Sequence, residues 1–120
     1  MSGATDLDLL ARELEVDIET TTDDGRPRRT VIWVVVVDGV PYVRSYRAER
    51  GVWYQELTRR PHATIVSGGR RIPVVAVAAT DPASVAACSR GFEEKYPGDP
   101  AVPARNRPEA LATTLRLVVD

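Results

Sequence analysis

One cysteine, one histidine, one lysine, one methionine and one phenylalanine stand among 120 residues, and several of these scarcities close a class of function. Cys88 alone can neither close an internal disulfide nor furnish a cysteine-based metal centre, which agrees with a reducing, cytoplasmic setting. His62 has no acidic partner or nucleophile placed near it in sequence, so a nucleophile triad is not expected. The acidic pairs Asp23-Asp24 and Glu93-Glu94 are adjacent, and adjacent side chains do not face one another as an acid–base couple must. No cluster of metal ligands is apparent, and no metal is expected. The longest apolar run, Val31 to Val37, falls far short of the ~20 residues that span a bilayer. Met1 to Asp6 lacks the basic segment and apolar run of a signal peptide, so neither membrane nor export is expected. Net charge is −1, which leaves no global field for nucleic acid or an anionic membrane surface.

What is present describes an ordinary globular domain. Apolar residues make up 43% and charged residues 28%, enough for a core and too apolar for disorder. One domain over 1–120 is expected, with its core over roughly 16–119 and an N-terminal helix over 5–15. Leu7, Leu10, Ala11 and Leu14 supply the apolar face of that helix and Thr5 its N-cap. Val16 to Thr22 alternates β-branched and acidic residues, the pattern of a strand with one wet face. Asp24-Gly25 turns the chain into a second strand, Arg28 to Val37. Asp38-Gly39 is a two-residue hairpin signal leading to a third, Val40 to Tyr46. Val52 to Leu57 reads as a central helix stopped by Pro61. Strands follow over Ala63 to Ser67 and Arg70 to Ala79, joined by Gly68-Gly69. That pair is hairpin chemistry, since no lysine-serine or helix start follows to make a phosphate loop. Pro82 opens a helix capped by Asp81 and running to about Lys95, where Cys88 is expected to pack. Four prolines make 96–108 a loop before a last strand, Leu111 to Val119. About six strands, mostly in tight-turn succession, with flanking helices give an α+β fold built on a mostly antiparallel barrel.

In Val31-Ile32-Trp33-Val34-Val35-Val36-Val37 both faces of the strand are apolar, whereas an antiparallel strand with one solvated face alternates. Something covers its outer side, either a helix of the same chain or a second subunit.

Fifteen of the sixteen basic residues are arginine. A GC-rich genome produces that bias without function, yet the planar fork also suits phosphate and carboxylate. Tyr42, Arg44 and Tyr46 share one face of their strand, close to Arg47 and Arg50, and Arg28, Thr30 and Ile32 share a face of the neighbouring one. Arginines bordered by aromatic rings suit a ligand with a flat ring and an anionic tail. The same residues equally make a solvated rim paired with Glu49 and Glu56.

The run Gly25-Arg26-Pro27-Arg28-Arg29-Thr30-Val31-Ile32-Trp33, then Val43-Arg44-Ser45 and Arg50-Gly51-Val52-Trp53-Tyr54-Gln55-Glu56-Leu57, resembles the split β-barrel flavin- and deazaflavin-binding proteins. These include proteins of the pyridoxamine-phosphate-oxidase and deazaflavin-dependent nitroreductase types. Arg60-Pro61-His62-Ala63-Thr64-Ile65 and Gly69-Arg70-Arg71 continue the likeness, which is strongest to a small bacterial domain-of-unknown-function family. The resemblance implies a homodimer with a cofactor groove between subunits, holding FMN or the deazaflavin coenzyme (F-420). It nominates Arg29, Thr30, Trp33, Arg44, Ser45, Arg50, Trp53 and Tyr54 as cofactor-binding residues. The chain departs from the family pattern at Arg50, where lysine is common, and at Glu56, where asparagine is. Trp53 and Tyr54, at helical spacing with Leu57, are also read as core, and Trp33 as core or dimer interface.

With no protein nucleophile or metal in prospect, hard chemistry would belong to a bound cofactor. The leading expectation is a flavin- or deazaflavin-dependent oxidoreductase reducing a small organic acceptor. The alternatives are a non-catalytic cofactor carrier, or a degenerate barrel that acts as a protein-interaction module without cofactor.

Overall fold

The computed structural model describes residues 2–119. Helix α1 (Ser2–Arg12) leads into β1 (Val16–Thr21), β2 (Pro27–Ile32), β3 (Val35–Val37) and β4 (Val40–Val43). A 3-10 turn (Ala48–Arg50) precedes α2 (Val52–Arg59), β5 (His62–Ser67) and β6 (Arg70–Ala78). Helices α3 (Pro82–Lys95), α4 (Ala101–Arg105) and α5 (Pro108–Leu111) then return the chain to β7 (Leu115–Val119). All seven strands pair antiparallel in one sheet of order β2-β1-β5-β6-β7-β4-β3. Trp33-Val34 joins the two edge strands directly, so the sheet must curl on itself. The result is the expected α+β barrel with one strand more than the six expected.

The extra strand comes from a break. Arg28 to Val37 does not run straight: β2 stays on one edge and β3 crosses to the other, with buried Val34 at the corner. This break also resolves which cover the apolar run requires. Behind β3 lies α3, where a Cβ added to Gly91 would stand 2.9 Å from methyls of both Val35 and Val37. On β2, by contrast, Val31 remains 58% exposed. One half of the run has its helix and the other has a bare outer side.

The barrel interior holds Ile18, Ile32, Val43, Leu57, Ile65, Ile72 and Leu117. A second core between β3, β4 and α3 holds Val35, Tyr42, Phe92 and Tyr96. The turns follow the signals for them. Asp38 (φ 51°) and Gly39 (φ 78°) both take positive φ, as a primed hairpin turn requires.

Several boundaries differ from expectation, and the strand expected to reach Tyr46 ends at Val43, where the chain turns away so that Arg44 and Tyr46 lie outside it. Helix α1 starts at Ser2, which places Thr5 inside it, and ends at Arg12. Its packed face is Asp6, Leu9 and Leu10, while Ala11 and Leu14 are exposed, because buried Asp6 pairs with Arg70 and fixes the helix's rotation. Segment 96–108 is not a loop throughout: α4 tolerates Pro103 because the first-turn amides of a helix have no intrahelical acceptor. Pro108 at the start of α5 fits for the same reason. Leu111 therefore belongs to α5, and the last strand begins at Leu115.

Candidate functional site

A groove of about 320 Å³ opens where β2, the end of β4 and the start of α2 meet. Thr30, Val31, Ser45, Tyr46, Arg47, Gly51, Val52 and Trp53 line it. Thr30, Ser45 and Trp53, three of the eight nominated residues, are thus brought together.

Backbone geometry places each one. Strand β2 alternates, so Thr30 points inward with Ile32 while Val31 points out. Strand β4 ends at Val43 and the chain turns through Ser45, whose amide is held by Thr113 Oγ1 at 3.1 Å and whose carbonyl accepts from Ala48 at 3.0 Å. The Ser45 side chain is completely buried, yet its Oγ has no hydrogen-bond partner among the described residues. It sits against Gly51, where an added Cβ would collide with the hydroxyl and stand 3.3 Å from Ser45 Cβ. Gly51 is thus a place where only a missing side chain leaves room.

Gly51 is also the N-cap of α2, and no side chain caps that helix. The first-turn amides of α2 therefore lack a side-chain acceptor at the positive end of the helix dipole, and Val52 and Trp53 of that turn line the groove. Arg47 lines the same end and Arg50 is exposed beside it. Neither guanidinium meets a carboxylate within 4 Å among the described residues. A buried orphan hydroxyl, an uncapped helix start and an uncommitted arginine converge, which is the donor set of an anion site.

Glu56, the acid in the α2 sequence, is neutralised from within. Its carboxylate accepts from Thr20 Oγ1 at 2.6 Å and from Arg28 Nε at 2.9 and 3.1 Å. Arg28, from the arginine set read as a rim paired with Glu56, makes this pairing, and it fastens α2 to β1 and β2.

The other nominated residues lie elsewhere. Arg44 is 2% exposed and points under α3. There it donates to Thr114 Oγ1 (2.7 Å), Ser89 Oγ (2.8 Å), Asn106 Oδ1 (2.9 Å) and the Val85 carbonyl (2.8 Å). Its acceptors are all neutral, and burial pulls its pKa down. Arg29 is on the outer face of the sheet, 3.3 Å from Glu19, which Arg71 also holds at 2.7 Å. Those two arginines, Arg71 first, keep the Glu19 carboxyl below its ordinary range. Tyr54 leans edge-on to Trp53 against the barrel core, and burial raises its phenol pKa.

Trp33 is consumed by its own chain. Its indole stacks on Tyr96 at 3.8 Å and 11°, and the guanidinium of Arg105 lies 3.8 Å from the same ring. Two groups at that distance cannot share a face, so Trp33 is sandwiched. Arg105 also lies 5.1 Å from the ring of Tyr46, on the groove. Its Nε is buried without an acceptor among the described residues. The sequence reading missed Arg105 because it treated 96–108 as a loop, and missed Gly51 because its signal is the absence of a side chain.

His62 is exposed and lines a different cavity. Cys88 is fully buried, and burial pushes its thiol up to about 12. Among the described residues no group of histidine, cysteine or acidic side chains could hold a metal, and no helix is long and apolar enough to cross a membrane.

Comparison with known proteins places this geometry. The profile of a family described as an uncharacterized protein conserved in bacteria (DUF2255) matches residues 6–117. No curated protein matches the sequence. Among solved structures, an F420-H2 dependent reductase (FDR-A) superposes with a TM-score of 0.67 at 17% identity, over 90% of this chain and 95% of its own. A putative pyridoxamine 5'-phosphate oxidase from Listeria innocua gives 0.67 at 12%, over 100% and 93%. The haem storage protein HutZ from Vibrio cholerae gives 0.66 at 11%, over 98% and 87%. The shared fold is the split barrel, as the resemblance implied.

Proposed function

Because the chain belongs to the bacterial DUF2255 family, folded as a split barrel, we propose that its groove binds the phosphate-bearing end of a flavin or deazaflavin cofactor. The observation that carries this reading is the Ser45 hydroxyl, buried and unpartnered against Gly51 at the uncapped start of α2. A buried hydroxyl without a partner is costly, and an arriving oxyanion would satisfy it together with the amides of Val52 and Trp53. Thr30 and Arg47 add a second hydroxyl and a cation to the lining, and Arg50 is exposed next to Gly51 in the chain.

Val31, Tyr46 and Val52 line the groove and are 58%, 51% and 51% exposed. Apolar side chains gathered at one groove fit a second copy of the chain, which would wall the ring pocket and explain the uncovered half of the apolar run. When bound, a flavin or deazaflavin supplies hydride transfer, and the groove residues then serve to bind, orient and shield. A small organic acceptor is the substrate class this permits, and carriage of the cofactor without turnover is the competing reading.

The test is retention. Purified protein is mixed with FMN or with deazaflavin coenzyme, freed of excess on a desalting column and scanned. Near-stoichiometric absorbance in the dimer fraction, lost in Ser45→Ala with Arg47→Ala, supports the reading. Retention of neither cofactor overturns it. Acceptor-dependent oxidation of the reduced cofactor then separates reductase from carrier.

A further inference from the structure

We propose that Arg105 is a second anion-recognition residue, which receives a carboxylate or phosphate group of a ligand lying past Tyr46 at the other end of the groove. Helix α4 carries it into a slot between two rings, 3.8 Å from Trp33 and 5.1 Å from Tyr46. Tyr96 backs Trp33 from the far side, so the indole is held in place by a stacked ring. The next basic residue fastens the helix: Arg107 donates to the Tyr46 carbonyl at 2.9 Å and to the Ala104 carbonyl at 2.7 Å. A guanidinium normally samples many rotamers, and here it lies against two rings in the absence of a ligand.

What it lacks is an acceptor. No carboxylate lies within 4 Å of it among the described residues, and its buried Nε has no partner. The acids that act on it from a distance are Glu15 and Asp99, and Asp99 already accepts from the Ala101 amide at 2.8 Å. Arg44 shows what a purely structural buried arginine looks like in this chain, with four hydrogen bonds that use all its nitrogens. Arg105 is as firmly placed but uncommitted. Stacking satisfies the faces of a guanidinium and leaves its edge donors open, and those donors match an oxyanion bidentately.

The experiment uses the full chain and the emission of Trp33, assigned by its loss in Trp33→Phe. Inorganic phosphate and succinate are titrated separately at constant ionic strength held with chloride. A saturable response is expected, its midpoint raised at least tenfold in Arg105→Met and several-fold in Arg105→Lys, which keeps the charge but not the fork. Arg105→Met preserves an apolar stem in the slot, and far-ultraviolet circular dichroism confirms that both variants are folded. Absence of a saturable response beyond chloride, or titration of Arg105→Met within twofold of wild type, overturns the proposal. A parallel FMN titration identifies the source of the anion. Weaker FMN binding in Arg105→Met assigns it to the cofactor, and unchanged FMN binding with a lost phosphate or succinate response assigns it to the acceptor substrate. Because the anion titration uses no cofactor, its failure is distinct from failure of the groove reading.

Discussion

Replacing Gly51 by alanine probes the contact on which the groove depends. The backbone at Gly51 (φ −63°, ψ 127°) is ordinary, so alanine adds no backbone strain. The added Cβ instead drives into Ser45 Oγ, with Ser45 Cβ at 3.3 Å and the Ala48 carbonyl at 3.4 Å. Ser45 cannot retreat, because its amide and carbonyl are both hydrogen bonded. Relief must come from rotating its hydroxyl away from Gly51. Overpacking of this kind costs about 1–3 kcal/mol. For a chain of this length that lowers Tm by roughly 4–12 °C.

Alanine also weakens an N-cap relative to glycine and reduces the entropy of the unfolded chain, effects that oppose each other at ~0.5–1 kcal/mol each. A double-mutant cycle removes both, since they are the same on either background. Gly51→Ala is therefore measured by urea denaturation in wild type and in Ser45→Ala, where the hydroxyl is gone and the tight Cβ–Cβ approach remains. The expected coupling is at least ~1 kcal/mol in favour of the double variant, well above the ~0.3–0.5 kcal/mol scatter of independent sites. Equal costs on the two backgrounds would show that Ser45 Oγ does not occupy the space beside Gly51, which would leave the groove without its buried hydroxyl.

Other expectations follow from packing and charge. Gly91→Ala should destabilise by about 1–3 kcal/mol, because its Cβ meets Val35 and Val37 at 2.9 Å, and Val37→Ala should recover part of the loss in the same urea assay. Arg44→Met should cost on the order of 3 kcal/mol by stranding one buried and three half-buried acceptors. A melt within 1 kcal/mol of wild type would refute that structural role. Lys95, which donates to the carbonyls of Leu10 (3.0 Å) and Val34 (2.6 Å), is held by burial at about 8 against an ordinary 10.5. Its folded pKa is the lower one, so between pH 8 and 10.5 the unfolded chain binds more protons and this group's contribution makes stability rise with pH. Cys88, raised by burial, pulls the other way above pH 9. The difference between wild type and Lys95→Met isolates the lysine, and a difference that is flat or falls over that window would contradict its burial.

The legible parts of this chain were those whose determinants are local. Asp38-Gly39 and Gly68-Gly69 mark their hairpins because no other residues take two successive positive φ values so readily. Pro82 after Asp81 marks α3, whose cap the structure keeps in the bond from the Ser84 amide to Asp81. The doubly apolar run announced that it needed covering, and period-2 alternation put Thr30 and Ile32 on one face of β2, whereas Arg44 and Tyr46, expected on one strand face, lie past the end of β4 and part, Arg44 beneath α3 and Tyr46 on the groove. What was not legible depends on partners distant in sequence. Arg44 and Arg105 are both arginines beside aromatic residues, yet Thr114, Ser89 and Asn106 reach the first and nothing reaches the second. Trp33 could not be read as sandwiched until α3 and α4 brought Tyr96 and Arg105 to its two faces. The eight nominated residues therefore sort by topology: strand ends and the start of α2 converge on the groove, while residues one position away along the same strands are drawn beneath α3 or onto the outer sheet. In a curled sheet, adjacent residues serve different surfaces. That is why three of the residues nominated by the family resemblance line one groove while the others divide between core and outer face.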